Sequence, residues 1–260
     1  MLIKHAPYAS SVLFIFAHQD DEFGVFNQIE KEIRSGATVF CAYCTSGVKS
    51  ECNSERRNTE SKLVLQRLGV YISNIFFIGD LLNIPDGSAL ENIFKLQYWL
   101  SQWLRDHLEL RCMYIPSWEG GHPDHDVVHA ITVQTVQQCS SIKFSVLQYS
   151  LYNNFACVKW GFKVLTPLPM NGKVSQELIP WTSRLLHLRL CLMYVSQVKS
   201  WLGLYPFVVW HYVFKGWQSL QPISFARIHE RPHPGLLYYE IRGFARGDDL
   251  LKNLSITSQH

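Results

Sequence analysis

The sequence lacks the features that mark a multidomain, fibrous or disordered chain. Its 260 residues include no tract rich in glycine, serine and proline, no block of like charges and no internal repeat. With 47% hydrophobic and 17% charged residues, the composition is that of an ordinary globular protein. We therefore predict a single domain over residues 1–260, in which a core at 1–150 is followed by a C-terminal elaboration at 151–260.

Basic residues are not concentrated in any part of the sequence. The formal net charge is +3, and the 24 lysines and arginines are scattered along the chain. A protein that binds nucleic acid through the phosphate backbone needs a basic patch or stripe. The sequence therefore argues against a nucleic-acid partner.

The apolar runs are too short for a transmembrane helix. The most apolar region, residues 185–214, is interrupted by Arg189, Lys199 and Pro206, and its uncharged part at 201–214 is shorter than a bilayer requires. An apolar stretch near the N-terminus continues directly into a polar motif, without the small residues of a signal-peptide cleavage site. We expect no transmembrane segment.

The seven cysteines follow no disulfide framework. An odd number of cysteines spread through apparent core elements favours a reducing compartment, and we expect the cytoplasm. Cys41 and Cys44 form a C-x-x-C pair, but they lie in an apolar run that predicts a strand, where their side chains point to different faces. We interpret both as small buried apolar residues rather than as a redox or zinc pair.

Strand and helix patterns alternate through the first half of the chain. Apolar runs of strand length occur at 11–17, 38–44, 74–78 and 111–115. Helical spacing of apolar residues occurs at 22–34, 54–68, 89–107 and 127–138. This alternation predicts a Rossmann-like, doubly wound α/β fold with a mostly parallel sheet. The aromatic-rich C-terminal extension is harder to interpret, and we predict only a helix near 183–198 and a strand near 237–241.

Two polar motifs follow predicted strands. Residues 17–22 read AHQDDE after the first strand, and residues 121–126 read GHPDHD after the fourth. Because ligands bind beyond the carboxyl ends of parallel strands, we expect both motifs to open onto one crevice. A His-x-Asp-Asp sequence offers one nitrogen ligand, one oxygen ligand and a spare carboxylate, which is what a hydrolytic zinc site needs.

The two motifs resemble those of the LmbE-like, or PIG-L, family of zinc-dependent de-N-acetylases. Thr45-Ser46-Gly47, Arg57-x-x-Glu60 and Leu68-Gly69-Val70 are similar to further parts of the family pattern, and the resemblance covers roughly residues 1–150. It implies a hydrolase that uses zinc to remove the acetyl group from an N-acetylglucosamine-type amino sugar or a sugar conjugate. Iron or another divalent ion can replace zinc at such ligands.

The resemblance also implies roles for individual residues. His18, Asp21 and His125 are the implied zinc ligands, and Asp20 is the implied general base. Three protein ligands leave a position for water, and Asp20 can remain free because adjacent carboxylates do not easily both coordinate. His122 is the candidate positive partner of the oxyanion, with Asp124 orienting its ring and favouring imidazolium. Whether Asp20 or His122 protonates the leaving amine stays open.

Two positions depart from the family pattern. Gln19 stands where proline is commonest, which should alter the turn without removing a ligand. Gly121 stands where some members carry a tyrosine that helps to bind the oxyanion, so that role is either empty or filled from elsewhere. Trp118 and Glu119 either line the pocket or act as loop spacers. His129 lies one helical turn after His125, and we interpret it as structural rather than as a further ligand.

Arg57 and Asp80 are the candidate substrate-binding residues. Arg57 matches the family arginine thought to hold the substrate, since a guanidinium binds sugar hydroxyls or a phosphate, but a solvated helix start is its alternative. Its neighbour Arg56 makes it less certain which of the two arginines corresponds to the family arginine. Asp80 follows the third predicted strand and can either accept hydrogen bonds from sugar hydroxyls or cap a turn.

The aromatic residues of segment 201–217 are the only hint about the size of the substrate. We expect most of them in the core, but a lipid-linked or oligosaccharide substrate, a peripheral membrane contact or a homo-oligomer interface would also use them. They are Trp201, Tyr205, Phe207, Trp210, Tyr212, Phe214 and Trp217.

Two other functions remain open. One is a zinc amidase that acts on a non-sugar or thiol-conjugate amide through the same site. The other is a non-catalytic metal- or sugar-binding relative, which Asp20 argues against because a binding protein has no use for a free base.

Overall fold

A computed structural model describes residues 10–49, 53–139, 144–158 and 161–257, so Cys52 lies outside the described residues. The strands are β1 (Ser11–Phe16), β2 (Thr38–Tyr43), β3 (Ile75–Phe77), β4 (Leu110–Pro116), β5 (Ser145–Tyr149), β6 (Tyr152–Asn153), β7 (Lys163–Val164), β8 (Ser175–Leu178) and β9 (Trp217–Pro222). The helices are α1 (Phe26–Arg34), α2 (Glu55–Leu68), α3 (Ile78–Leu81), α4 (Ile93–Asp106), α5 (Pro123–Gln138), α6 (Trp181–Cys191), α7 (Val198–Trp210), α8 (Tyr238–Ile241) and α9 (Gly247–Thr257).

The predicted α/β fold with a mostly parallel sheet is confirmed. Seven strands form one sheet in the order β3-β2-β1-β4-β5-β9-β8. The first five strands of this order are mutually parallel, whereas β9 and β8 add two antiparallel pairings at one edge. Both added strands come from the C-terminal half of the chain, which therefore contributes directly to the central sheet.

Strand β1 lies near the middle of the sheet and is buried along its whole length. Its alternate residues enter two separate apolar clusters, one on each face, as the period of two requires. Phe14 belongs to one cluster and Leu13 to the other. Because helices cover both faces, the strand is continuously apolar rather than alternating in polarity. This burial fixes the point at which the chain leaves the sheet and enters the first motif.

The helices that carry the motifs differ from the predicted ones at their starts. Residues 21–24 form a short 3-10 turn, and α1 begins only at Phe26, because Asp20 adopts a left-handed φ of 116° that turns the chain after β1. Helix α5 begins at Pro123, earlier than predicted, since proline suits the first helical position and His122 accepts the backbone N–H of Asp124 as the N-cap. The second motif is therefore the first turn of a helix.

The predictions for the second half were only partly right. The helix predicted near 183–198 ends at residue 191, and α7 follows as a separate helix. The strand predicted near 237–241 is the helical turn α8, because Glu240 accepts the backbone N–H of Leu237 and caps the turn. An apolar run of four residues fits either structure, and the capping side chain decides between them.

Two further expectations can be compared with the described residues. Cys41 and Cys44 are both buried and free, as predicted, and burial raises the pKa of each thiol. Within the described ranges, no helix combines the length and the apolar character needed to cross a membrane.

Candidate metal centre

The two motifs meet at the carboxyl ends of β1 and β4, which are parallel neighbours. The Nδ1 atom of His18 lies 3.2 Å from Nε2 of His125. The Oδ1 atom of Asp21 lies 3.1 Å from the same nitrogen of His125, and its Oδ2 atom lies 3.8 Å from Nδ1 of His18. The structure thus brings together the three residues that the resemblance implies as metal ligands.

The backbone holds Asp21 in place. Its Oδ2 atom accepts the backbone N–H groups of Ala17 at 3.0 Å and of His18 at 2.8 Å, which leaves Oδ1 directed at His125. Burial alone would raise the pKa of Asp21, but the charge of His125 and the hydrogen bond from it hold that pKa well below its usual value. Asp21 is therefore a carboxylate fixed in position.

Asp86 is a member of the site that the sequence analysis did not find. Its Oδ1 atom lies 3.0 Å from Nε2 of His18 and 4.0 Å from Nε2 of His122. Asp86 comes from a Pro-Asp-Gly turn that follows no predicted strand, and its sequence indicates a turn but not a site. Two overlapping groups are close enough to share an ion, namely His18 with His122 and His125, and His18 with Asp86, His122 and Asp124.

The predicted pairing of Asp124 with the ring of His122 was wrong. The Oδ2 atom of Asp124 lies 3.0 Å from Nε2 of His18, and the carboxylate also accepts the backbone N–H groups of Gly87 at 2.7 Å and Ala89 at 3.1 Å. Of the polar groups of Asp124, the N-cap His122 accepts only the backbone N–H, through Nδ1 at 3.2 Å. Burial and the neighbouring His18 lower the pKa of His122 to about 3, which is opposite to the imidazolium we expected.

Asp20 lies beside this group and has different partners. Its Oδ1 atom lies 3.3 Å from Nη2 of Arg57, and its Oδ2 atom accepts a hydrogen bond of 3.2 Å from Nε1 of Trp201. Burial raises the pKa of Asp20 to about 7, although the charge of Arg57 opposes that shift. Trp201 was noted in the sequence only as part of an aromatic segment, because nothing near it in the chain indicates a contact with the first motif.

Comparison with known families agrees with this geometry. Residues 13–136 match the sequence profile of the PIG-L family, described as GlcNAc-PI de-N-acetylase. Residues 13–136 therefore form a PIG-L domain. No curated protein sequence matches this chain significantly.

Solved structures of low sequence identity share the fold of the PIG-L domain and most of the remaining chain. A deacetylase of the teicoplanin biosynthesis pathway, in complex with bog, has a TM-score of 0.64 at 12% identity and covers 83% of this chain and 98% of its own. N,N'-diacetylchitobiose deacetylase from Pyrococcus horikoshii has a TM-score of 0.61 at 16% identity, with coverage of 87% and 88%. The zinc-inhibited form of teicoplanin deacetylase Orf2 has a TM-score of 0.54 at 11% identity, with coverage of 72% and 85%.

Arg57 is buried in the PIG-L domain, so the solvated helix start was the wrong alternative. Its side chain is 8% exposed, whereas that of Arg56 is 67% exposed. Arg57 donates from Nη2 to the carbonyl oxygen of Gln19 at 2.6 Å and from Nη1 to that of Gly47. Gly47 has a left-handed φ of 66°, and a Cβ atom there would come within 2.9 Å of the guanidinium carbon. Arg57 thus holds the turn that presents Asp20, and its role toward a substrate stays a prediction.

Asp80 lies in α3, and its carboxylate accepts no backbone N–H from the described part of the chain, so the structure does not bear out the capping alternative. Its carboxylate accepts hydrogen bonds from Oγ of Ser54 at 2.6 Å and from Nδ2 of Asn58, so both oxygen atoms are used within the protein. Asn58 in turn accepts a hydrogen bond of 2.7 Å from Nε2 of Gln19. The glutamine at the usual proline position therefore ties the first motif to α2. Binding of a sugar by Asp80 stays a prediction.

Gly121 makes room for a tyrosine that comes from another part of the chain. A Cβ atom at Gly121 would clash with the carbonyl oxygen of Tyr152. The ring of Tyr152 meets His125 edge to face, with ring centres 5.6 Å apart. Glu119 holds this loop, because its Oε1 atom accepts the backbone N–H groups of Leu151 at 2.6 Å and Tyr152 at 3.0 Å. Glu119 therefore fixes the loop that carries Tyr152 and is not only a loop spacer.

Trp118 and His129 have structural roles. Trp118 is fully buried, and its Nε1 atom donates to the carbonyl oxygen of Glu230. His129 is also buried, with Nδ1 at 2.8 Å from the carbonyl oxygen of Pro116. Both residues tie the loop after β4 to its surroundings, in agreement with the structural interpretation of His129.

Proposed function

We propose that this protein is a metal-dependent hydrolase that removes the acetyl group from an N-acetylated amino sugar or sugar conjugate, and that His18, Asp21 and His125 hold the ion. The distances of 3.2 Å between His18 Nδ1 and His125 Nε2 and of 3.1 Å between His125 Nε2 and Asp21 Oδ1 carry this proposal. Zinc binds nitrogen and oxygen at about 2.0–2.2 Å, so the edges of a tetrahedral site are about 3.3 Å long. The separation of the two histidine nitrogens and that of Asp21 Oδ1 from His125 Nε2 therefore match two edges of such a site.

The charge around His18 supports the same proposal. The carboxylates of Asp21, Asp86 and Asp124 all lie within hydrogen-bonding or ion-pair distance of its ring. Burial opposes a charged imidazole, yet the hydrogen bonds to Asp124 and Asp86 raise the pKa of His18 well above its ordinary value. A site that draws a proton this strongly onto a buried imidazole also suits a divalent cation, and zinc fits the mixed nitrogen and oxygen ligands.

The residues next to the ligands would perform the chemistry. When bound, the cation polarises the acetyl carbonyl group and makes water more acidic. Asp20 takes the proton of the attacking water, since Arg57 and Trp201 hold its carboxylate beside the ligands. The water oxygen adds to the acetyl carbon, the carbon–nitrogen bond breaks, and the amine leaves with the proton that Asp20 took from the water. Tyr152, packed on His125, borders this space.

The substrate class is supported by the family and by the similar structures. The matching family is described by an N-acetylglucosamine conjugate, and two similar proteins are named as deacetylases of teicoplanin biosynthesis and of N,N'-diacetylchitobiose. We extend this to an amino-sugar substrate for the present chain. The six described cysteines are free, which supports a reducing compartment such as the cytoplasm.

The test combines metal analysis with acetate release. The full chain is purified, its metal content is measured, and acetate is assayed with N-acetylglucosamine, its nucleotide and lipid conjugates, and simple N-acetyl amides. Because one similar structure is named a zinc-inhibited form, zinc is titrated from substoichiometric amounts rather than added in excess. We expect acetate from at least one sugar substrate and none after chelation. Preference for non-sugar amides would favour the amidase alternative, and bound metal without any turnover would favour a binding protein.

A further inference from the structure

Helix α7 and the π-helical turn after it expose an unusual number of apolar side chains. The expectation that most aromatic residues of this segment lie in the core was wrong, because only Trp201 and Tyr212 among them are buried. On the outer side, Leu202 is 73%, Phe214 66% and Trp210 58% exposed. We name this outer side the α7 surface, and it consists of Val198, Leu202, Phe207, Trp210, Val213 and Phe214. A group of large apolar side chains on one surface marks an interaction site.

The segment that carries the α7 surface has only one sign of charge. Residues 178–229 contain no aspartate or glutamate, whereas Arg189, Lys199 and Lys215 are exposed. Acidic side chains that reach this segment from other elements are engaged there. Glu30 contacts His187 at 3.0 Å, and Glu60 accepts hydrogen bonds from Ser196. Among the described residues, Arg189, Lys199 and Lys215 form no ion pair, so positive charge flanks the exposed apolar surface.

We propose that the α7 surface docks onto the interface of an anionic lipid bilayer. Tryptophan and phenylalanine side chains insert at the boundary between head groups and acyl chains, and nearby lysine and arginine side chains attract anionic head groups. Lys199 lies on the exposed side of α7, and Lys215 follows Phe214 directly, so both kinds of contact are available at one surface. The combination matches an interfacial helix in its composition and in its charge.

A second copy of the chain fits this surface less well. In a two-fold symmetric dimer, the same patch faces itself, so the basic side chains of one copy meet those of the other. No acidic residue of segment 178–229 is available to neutralise them. Like charges placed opposite each other oppose association, whereas an anionic membrane complements the same charges.

The α7 surface is connected to the candidate metal centre through aromatic side chains. Phe207 packs against Phe162 with ring centres 4.7 Å apart, Phe162 contacts Tyr152 at 6.4 Å, and Tyr152 contacts His125 at 5.6 Å. On its buried side, α7 provides Trp201 to Asp20. Docking through α7 would therefore hold the metal centre close to the membrane surface. The inference itself does not depend on the proposed function.

The test measures cosedimentation of the full chain with vesicles. Neutral phosphatidylcholine vesicles are compared with vesicles that also contain phosphatidylglycerol. We expect the protein to pellet with the anionic vesicles, and we expect the bound fraction to fall as salt is added, because screening weakens the attraction of the lysines. Absence of binding to the anionic vesicles at low salt would overturn the proposal.

Paired variants identify the surface. The double variant Trp210→Ser/Phe214→Ser should weaken vesicle binding at least about tenfold, since each substitution removes a large apolar side chain from the interface. The matched control is Phe94→Ser/Tyr98→Ser on α4, where two aromatic side chains with the same spacing are 62% and 69% exposed. This control should bind like the unaltered protein, and an equal loss of binding in it would contradict the proposal.

A second variant avoids any effect on folding. Lys199→Glu/Lys215→Glu changes only exposed residues and should abolish the preference for anionic vesicles. An unchanged preference would overturn the proposal. So would a dimer of the unaltered protein that dissociates in the Trp210→Ser/Phe214→Ser variant, because the α7 surface would then be occupied by a second copy.

Discussion

The indole Nε1 of Trp201 donates a 3.2 Å hydrogen bond to Oδ2 of Asp20, across 181 positions of sequence. The carboxylate proposed as the general base is therefore held by a residue of the C-terminal half, while Arg57 holds its other oxygen. Part of the proposed catalytic apparatus thus lies outside the PIG-L domain at 13–136.

Replacing this tryptophan should affect turnover without affecting metal binding. Trp201→Phe keeps an aromatic ring but removes the donor, and hydrogen bonds to charged groups contribute about 1.5–3 kcal/mol. We expect the kcat for acetate release to fall by about tenfold or more, with unchanged metal content. Trp99→Phe, an indole of α4 that packs against Trp103, is the control and should keep full activity. Equal kcat in the two variants would refute a role for Trp201.

Neighbouring aspartates of the first motif should separate catalysis from metal binding. Asp20→Asn should keep the ion and lower kcat by a factor of about a hundred to ten thousand, because the base is lost. Asp21→Asn should lose the ion itself, since Oδ1 faces His125 and Oδ2 is fixed by the backbone. Elemental analysis and acetate release on both proteins check this, and full activity of Asp20→Asn would show that the base assignment is wrong.

His122 is close enough to His18 and His125 to act as a metal ligand, so its role in metal binding must be distinguished from a role in the reaction. If it serves the reaction, His122→Ala should lower kcat more than metal content, and His125→Ala should remove the ion. We expect the first result, because the proposed set of His18, Asp21 and His125 already supplies three ligands. A parallel loss of metal and activity in His122→Ala would identify it as a ligand instead.

Asp86 should support the metal site without being essential for folding. Its carboxylate faces Nε2 of His18 at 3.0 Å, so Asp86→Asn removes negative charge directly behind a proposed ligand. Partners of this kind usually change metal affinity by about 10–100-fold. We expect the dissociation constant for the metal, measured by competition with a chelator, to increase by about 10–100-fold. Asp106→Asn, an exposed residue at the end of α4, is the control and should bind metal normally.

Two glycines should respond to alanine in opposite ways. Gly121→Ala should lower the free energy of unfolding by about 1–3 kcal/mol, because the new methyl group meets the carbonyl oxygen of Tyr152. Gly203→Ala lies in α7 with no atom near its added Cβ, and should raise the same quantity by about 1 kcal/mol. Denaturant unfolding measures both, and a stable Gly121→Ala protein would show that the loop of Tyr152 can move away.

The first half of the fold was predictable because its signals are local. The apolar runs of β1, β2 and β4 are largely buried, and the motifs follow β1 and β4 directly. The common edge at which parallel strands end was therefore enough to predict that the two motifs meet. Boundaries were less certain where side chains rather than periodicity decide them, as at the start of α1, where Asp20 turns the chain. The start of α5 also differs from the prediction, because His122 caps the helix directly before Pro123.

The remaining parts of the site could not be predicted, since they depend on tertiary contacts. Asp86 and Trp201 approach the first motif from a turn and from a distant helix, and neither has a local pattern that indicates a site. Asp124 lies two positions after His122, which suggests that it orients the His122 ring. In the folded chain its carboxylate instead accepts the backbone N–H groups of Gly87 and Ala89, which are distant in sequence. The carboxylate of Asp80 likewise accepts hydrogen bonds from the side chains of Ser54 and Asn58, which no local pattern indicates.

The antiparallel pair β9 and β8 determines how far the protein can be shortened. A chain cut at residue 136, where the family match ends, would keep β4 but lose β5, β9 and β8. Strand β4, which is largely buried, would then become an open edge with unpaired backbone groups, and such edges recruit strands from other molecules. The fragment would also lose Tyr149, whose hydroxyl bonds to the carbonyl oxygen of Ile15. The matched segment on its own would thus be prone to aggregation.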